Sequence, residues 1–268
     1  MNDELVILGS GGGRHHIRTQ YRATGGLLYK FNNIQSHIDP GPGAIVRINQ
    51  YQEDPLKTEL FIVTHGHVDH YSDLSAIIES SREILHDRNY NYYKKGTLIT
   101  STEVLKYISD YHLNMLEEIV RFKAGDTINY KAVRIIGTKT VHSPNNEGFG
   151  IKFELKDYSL AFTSDTMVYD GFSEEFSGCN ILILNLLRPD FKRCRRHLCT
   201  DEVIPYLNKI DPPLNSLIIT HFGSLMDSPR SAKNYVPNQV KKLQENTNIK
   251  NIIAAEDGLK LRIKEFLK

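Results

Sequence analysis

The sequence predicts an α/β protein built as a four-layer αββα sandwich, and three observations carry that expectation. Short apolar β-type runs recur along the chain. β-rich stretches alternate twice with stretches of mixed helix and strand. Segment after segment ends in a histidine or an aspartate just past an apolar run. Two mixed sheets packed face to face, with helices on the outside, account for all three, although most domains have only two or three layers. No linker or low-complexity segment interrupts the 268 residues, so a single domain over 1–268 is expected.

LVILG (5–9) opens as a buried-type strand and runs into the glycine-rich turn Ser10–Gly13. LLYKF (27–31) and IQSHID (34–39) form a hairpin around Asn32-Asn33, closed by the rigid turn DPGPG (39–43) and a short helix over 44–51. LFIVT (60–64) is a fully apolar strand, and DLSAIIES (73–80) has helical spacing. The segment 86–125 is tyrosine-rich (Tyr90, Tyr92, Tyr93, Tyr107, Tyr111) with a helix near 102–108; it suits a lid, a substrate wall or a dimer contact. Strands then follow at IVRF, TINY, AVRIIGT, FGIKFEL and YSLAFTS, the last two flanking Lys156-Asp157. ILIL (181–184), SLIIT (216–220) and NIIAA (251–255) alternate with helices near 201–209 and 232–245.

Composition narrows the function classes. A formal net charge of +1 provides no global field for a polyanion, so any such partner must meet a local patch. No apolar run approaches the ~18 residues of a membrane span, and the acidic start MNDELVILG does not read as a signal peptide. Three cysteines (Cys179, Cys194, Cys199) make no disulfide framework, which points to the cytoplasm; the Cys194/Cys199 spacing reads as incidental rather than metal-binding.

The densest polar cluster is His65-Gly66-His67-Val68-Asp69-His70, immediately after strand 60–64. Packing three imidazoles and a carboxylate together without a cation would strand polar groups at about 1–3 kcal/mol each. Neutral imidazole and carboxylate are standard ligands of divalent metals. The spacing i, i+2, i+4, i+5 suits a loop curling around two ions, unlike the i, i+4 pair of a helical zinc motif. His142, Asp165 and His221 each follow a β run, and strand C-terminal ends converge on one crevice in such sheets.

HGHVDH, the isolated His142, Asp165 in SDT and His221 in THFG together resemble the metallo-β-lactamase superfamily over essentially the whole chain, including LGSGGG (8–13), DPGPG and AAEDGLKL (254–261). The phrases HIDPGPGA, ILNLLRP and ITHFG are similar to an archaeal-type branch of uncharacterised hydrolases. The resemblance implies two divalent ions, zinc first and manganese or iron as alternatives. His65, His67 and His142 would hold one, Asp69, His70 and His221 the other, with Asp165 between them. A metal-bridging hydroxide would then be the nucleophile, aimed by Asp69. True β-lactamases of the superfamily carry cysteine at the Asp165 position and lack a counterpart of His70. The ligand set instead resembles phosphodiesterases, ribonuclease Z and glyoxalase II.

His197, ahead of a helix in RHLCTDEV, is placed like an extra histidine of ribonuclease Z and related phosphodiesterases, which implies a general acid or charge stabiliser. Beside it runs a basic cluster, Arg188, Lys192, Arg193, Arg195 and Arg196, that either clamps a phosphate or forms a solvated face. Arg193, Arg195 and Arg196 are taken as candidate substrate-binding residues. Only 22 residues separate His142 from Asp165, which leaves no room for the tRNA-gripping arm of ribonuclease Z. The leading expectation is therefore a phosphodiesterase acting on a small nucleotide-like or organophosphate molecule. A thioester, lactone or carboxyl-ester hydrolase of glyoxalase II type is the alternative, and an inactive nucleic-acid-binding or regulatory module is a third. A homo-oligomer is compatible with each. His15 and His16, after the first glycine-rich turn, either line the cleft mouth or, as the preferred reading, are solvated; His37, His86 and His112 show no partner pattern.

Overall fold

The computed structural model describes residues 3–82, 94–142, 147–229 and 234–267. Two seven-stranded sheets form its centre. The first runs in the order β14-β1-β2-β3-β4-β5-β6, from β1 (Glu4–Ile7), β2 (Leu27–Phe31), β3 (Ile34–Ile38), β4 (Thr58–Val63), β5 (Thr97–Thr100), β6 (Glu118–Arg121) and the late strand β14 (Lys260–Arg262). The second runs in the order β13-β12-β11-β10-β9-β8-β7, from β7 (Thr127–Tyr130), β8 (Val133–Lys139), β9 (Phe149–Glu154), β10 (Ser159–Phe162), β11 (Ile181–Asn185), β12 (Ser216–Thr220) and β13 (Asn251–Ala254). Each sheet is mixed. β3 through β6 are parallel neighbours, as are β10 through β13, and the remaining pairs are antiparallel.

The period-2 alternation of the strands builds the layers. Leu5 and Ile7, Leu60 and Ile62, and Ile181 and Ile183 point into one apolar cluster between the sheets. Val6, Phe61 and Val63 point outward onto α2 (Ala44–Gln50) and α4 (Leu74–Ser80). Leu182 and Leu184 point the other way, onto α7 (Phe172–Glu175), α8 (Thr200–Leu207) and α9 (Val236–Asn246). Three apolar interfaces define four layers, as the sequence predicts.

Some local expectations need correction. A helix, α1 (Gly13–Thr19), follows the glycine-rich turn without any apolar stripe to announce it. The helix expected at 102–108 is a single turn, α5 (Thr102–Leu105), and TLIT just before it is β5, too short to stand out by period. Tyr90, Tyr92, Tyr93 and His86 lie outside the described residues. No helix among those described is long and apolar enough to cross a membrane.

Candidate metal centre

The site residues all leave C-terminal strand ends on one side of the sandwich. β3 leads to Asp39, β4 to His65, β8 to His142, β10 to Asp165 and β12 to His221. Asp69 and His70 sit on one helical turn, α3 (Val68–Tyr71), rather than on an open loop, and the His70 ring packs against that of His65 with centroids 4.1 Å apart.

Two groups form. The ligand atoms of His65, His67, His142 and Asp165 lie within 4.8 Å of one another, and so do those of Asp69, His70 and His221. The Asp165 carboxylate reaches both. Its Oδ2 is 3.7 Å from His142 Nε2 and 4.0 Å from His65 Nε2, but also 3.6 Å from His70 Nε2, while Oδ1 is 3.3 Å from His221 Nε2. Asn185, at the end of β11, donates its Nδ2 to Asp165 Oδ1 at 2.8 Å and fixes the carboxylate. Asp69 Oδ2 accepts the Gly13 N–H at 2.6 Å and lies 3.4 Å from His221 Nε2.

Outer partners fix the ring tautomers. His70 Nδ1 donates to Asp39 Oδ2 at 2.8 Å, and His142 Nδ1 donates to the Arg196 carbonyl at 2.9 Å. Thr64 gives its hydroxyl proton to Asp39 Oδ2, so its Oγ1 is left to accept from His65 Nδ1 at 3.2 Å. A neutral imidazole that donates from Nδ1 presents a bare lone pair at Nε2. Three such lone pairs therefore converge with two carboxylates. His67 Nδ1, 3.1 Å from His65 Nε2 and 2.9 Å from His142 Nε2, can offer a proton to only one of them. A divalent cation in each group resolves the conflict, and outer partners of this kind are what metal-bound histidines have.

The electrostatics agree. Burial opposes charge on His70, yet Asp39, Asp165 and Asp69 push its pKa well above that of a free imidazole: the field calls for positive charge there. Burial alone would raise Asp165 and Asp69, but His221 and His70 hold both well below the usual carboxylate range. His65 is pushed well down by burial and by His70.

Backbone geometry completes the shell. Asp39, Ser164 and His221 all have left-handed φ values, of 52°, 55° and 59°, a region that only a few per cent of non-glycine residues adopt. His221 Nδ1 is buried without a partner among the described residues, so packing fixes this ring instead. Gly12 lies flat against it: a Cβ at Gly12 would come within 2.2 Å of ring atoms.

Above the centre opens a cavity of about 550 Å³, lined by Arg14, His15, His67, Asp69, Asp165, Arg188, Cys194 and His197 among others. His197 Nδ1 lies 3.7 Å from Asp165 Oδ2, and its ring packs edge-on against His142. Burial, partly offset by Asp165, pushes its pKa down to about 4. The basic run divides. Arg188 lines the cavity, whereas Arg193, Arg195 and Arg196 do not. Arg193 is exposed and pairs with Glu202 at 3.4 Å, and Arg196 contributes only its backbone carbonyl to His142. Of the two readings of His15 and His16, the cleft mouth holds for His15 and the solvated placement is corrected for His16. His15 lines the cavity, and His16 is fully buried, its Nδ1 accepting the Arg22 N–H. Cys194 and Cys199 join neither group; Cys199 Sγ donates to Glu202. Asp39 and Asn185 were absent from the sequence-based set, although Asp39 obeys the same strand-end rule as Asp165.

Residues 36–222 match the beta-lactamase superfamily domain. The chain belongs to the metallo-β-lactamase superfamily, a hydrolase fold, and it carries a histidine–aspartate metal-binding cluster. It is 33% identical to the uncharacterized protein MJ1374 of Methanocaldococcus jannaschii, over 98% of this chain and 96% of that one. Ribonuclease Z of Methanopyrus kandleri is 22% identical, over 98% of this chain and 100% of the enzyme. Among solved structures, a diphosphatase from the PhnP family superposes with a TM-score of 0.69 across 97% of each chain; at 20% identity, that likeness is one of fold.

Proposed function

We propose that this protein is a binuclear metal-dependent phosphodiesterase acting on a small organophosphate or nucleotide-like substrate. His65, His67 and His142 would hold one ion and Asp69, His70 and His221 the other, with Asp165 shared, in line with the two groups above. Zinc is the first expectation for these ligands. Bound there, the ions supply the Lewis acidity that makes water nucleophilic near neutral pH and draws charge from phosphoryl oxygens.

The chain's own groups do the rest. Asp69, fixed by Gly13 and held as a carboxylate, accepts a hydrogen bond from the attacking water and aims it. His197 stands on the cavity wall beside Asp165, outside both metal groups, and offers an N–H to the oxygen on which charge develops. That placement is the observation that carries the proposal, because an ester hydrolase needs no further imidazole there once the metals polarise its carbonyl. A relative named as ribonuclease Z, matched over its whole length, favours the same class.

Hydrolysis of bis(p-nitrophenyl) phosphate and of cyclic nucleotides with added zinc or manganese tests it. Turnover should depend on metal and vanish in Asp165→Ala. His197→Ala should lose about 10²–10⁴-fold in kcat, the usual range for such a group, with its metal content intact. Wild-type turnover no higher than that of Asp165→Ala refutes the proposal.

A further inference from the structure

Arg188 is held beside His197 by the backbone. β11 ends at Asn185 and the chain continues to the cavity wall, where the Arg188 N–H donates to the Leu198 carbonyl at 3.3 Å and Arg188 bridges to Cys199. The guanidinium is anomalous for this molecule. Its Nε is buried and has no hydrogen-bond partner among the described residues. Arg22 shows what a satisfied arginine looks like here: its guanidinium meets Asp227, Ser10 Oγ and the Ala255 carbonyl. No described carboxylate within ion-pair distance answers Arg188.

Among the described residues, Asp69 and Asp165 are the only acidic ones lining the cavity, and both are turned toward the imidazoles, while Arg14 adds a second guanidinium to the lining. A half-buried arginine whose Nε–H is buried beside a small-molecule-sized cavity, with no described partner to donate to, suits an oxyanion from outside.

We propose that Arg188 is the anion-recognition residue of the cleft, binding the non-bridging oxygens of the substrate's phosphoryl group beside His197 and selecting phosphoric esters over neutral carboxyl esters. This rests on the phosphodiesterase reading and adds a named contact to it. The planar fork matches phosphate oxygens in pairs, which a lysine ammonium cannot reproduce. The neighbouring Arg193, Arg195 and Arg196 take no part.

The test uses zinc-loaded full-length protein and inorganic phosphate as the probe, with binding measured by isothermal titration calorimetry and, separately, kinetics on bis(p-nitrophenyl) phosphate. Arg188→Gln should weaken phosphate binding by about 10- to 100-fold, the range for a hydrogen-bonded charged group. It should raise KM for the phosphodiester, while the double variant Arg193→Gln/Arg195→Gln binds like wild type. Arg188→Lys should fall between. If Arg188→Gln does not fold, the lysine variant decides: intermediate affinity supports the assignment and unchanged affinity overturns it. Wild-type phosphate affinity in Arg188→Gln overturns it, as does loss of binding in the double variant. Phosphate binding that depends on Arg188, without any phosphodiester turnover, sinks the phosphodiesterase proposal and leaves the anion site standing.

Discussion

Asp39→Asn is the sharpest test of how the outer shell sets up the centre. The carboxylate accepts three hydrogen bonds: His70 Nδ1 at 2.8 Å, Thr64 Oγ1 at 2.8 Å and the Thr64 N–H at 2.7 Å. An asparagine keeps one acceptor, which the Thr64 N–H retains. Its amide NH₂ then faces Thr64 Oγ1 and His70 Nδ1, so both partners must turn from donor to acceptor. His70 can accept at Nδ1 only by carrying its proton on Nε2, the nitrogen that points at Asp165 and His221. Binding a metal there means breaking one buried hydrogen bond to a group whose partner was charged, about 1.5–3 kcal/mol, or roughly a 10- to 150-fold weaker site. Competition against a chromophoric chelator, with metal counted by atomic absorption, should show one ion weakened by that factor. The ion proposed for His65, His67 and His142 should change less. Wild-type affinity for both ions would refute the tautomer argument.

Gly12→Ala should displace His221, because the new methyl would sit about 2.2 Å from its ring; one metal equivalent and nearly all activity should be lost, measured by metal analysis and turnover, with an overpacking cost of about 1–3 kcal/mol in urea unfolding. His37 is wholly buried, donates from Nε2 to the Gly25 carbonyl, and is pushed by burial down to about 4. Its folded pKa lies below the unfolded value of about 6.5, so the unfolded chain takes up the proton first and stability falls as pH drops from that value toward 4. Metal-free wild type should lose ~2.5 kcal/mol more than His37→Gln between pH 7 and pH 4.5 in urea unfolding; equal losses would mean that His37 does not set this dependence.

The metal-binding side chains were legible because each stands just past an apolar strand, a feature that local sequence records directly. HGHVDH after β4 and Asp165 after β10 needed no knowledge of what lies opposite them. Asp39 was harder to see. DPGPG reads as a turn, and its aspartate gains meaning only when the parallel pairing of β3 with β4 brings it against Thr64 and His70, 31 residues on. The basic run failed for a related reason. Five cations in nine positions read alike in sequence, yet the short bridge between Arg188 and Cys199 turns only the first toward the cleft. α1 escaped notice because GRHHIRT buries only His16 and has no apolar stripe to reveal its period.

The two groups of metal-binding side chains do not divide by sheet. His65 and His67 come from β4 of the first sheet, while His142 and Asp165 come from β8 and β10 of the second. Asp69 and His70 follow β4, and their partner His221 follows β12. Each group therefore spans the mouth of the sandwich, and filling either one ties one sheet to the other. The apolar cluster between the sheets already fixes their spacing, since Ile62 from the first sheet and Ile151 and Ile183 from the second all belong to it. A core substitution there would act on the ligands as well as on stability. A sheet shift of a few tenths of an ångström, too small to unfold the protein, would open the His67–His142 and His70–His221 distances and weaken metal binding. The long-range packing of the fold and the coordination of its metals are for that reason one problem, because a metal that binds only the folded state adds its binding free energy to the same interface.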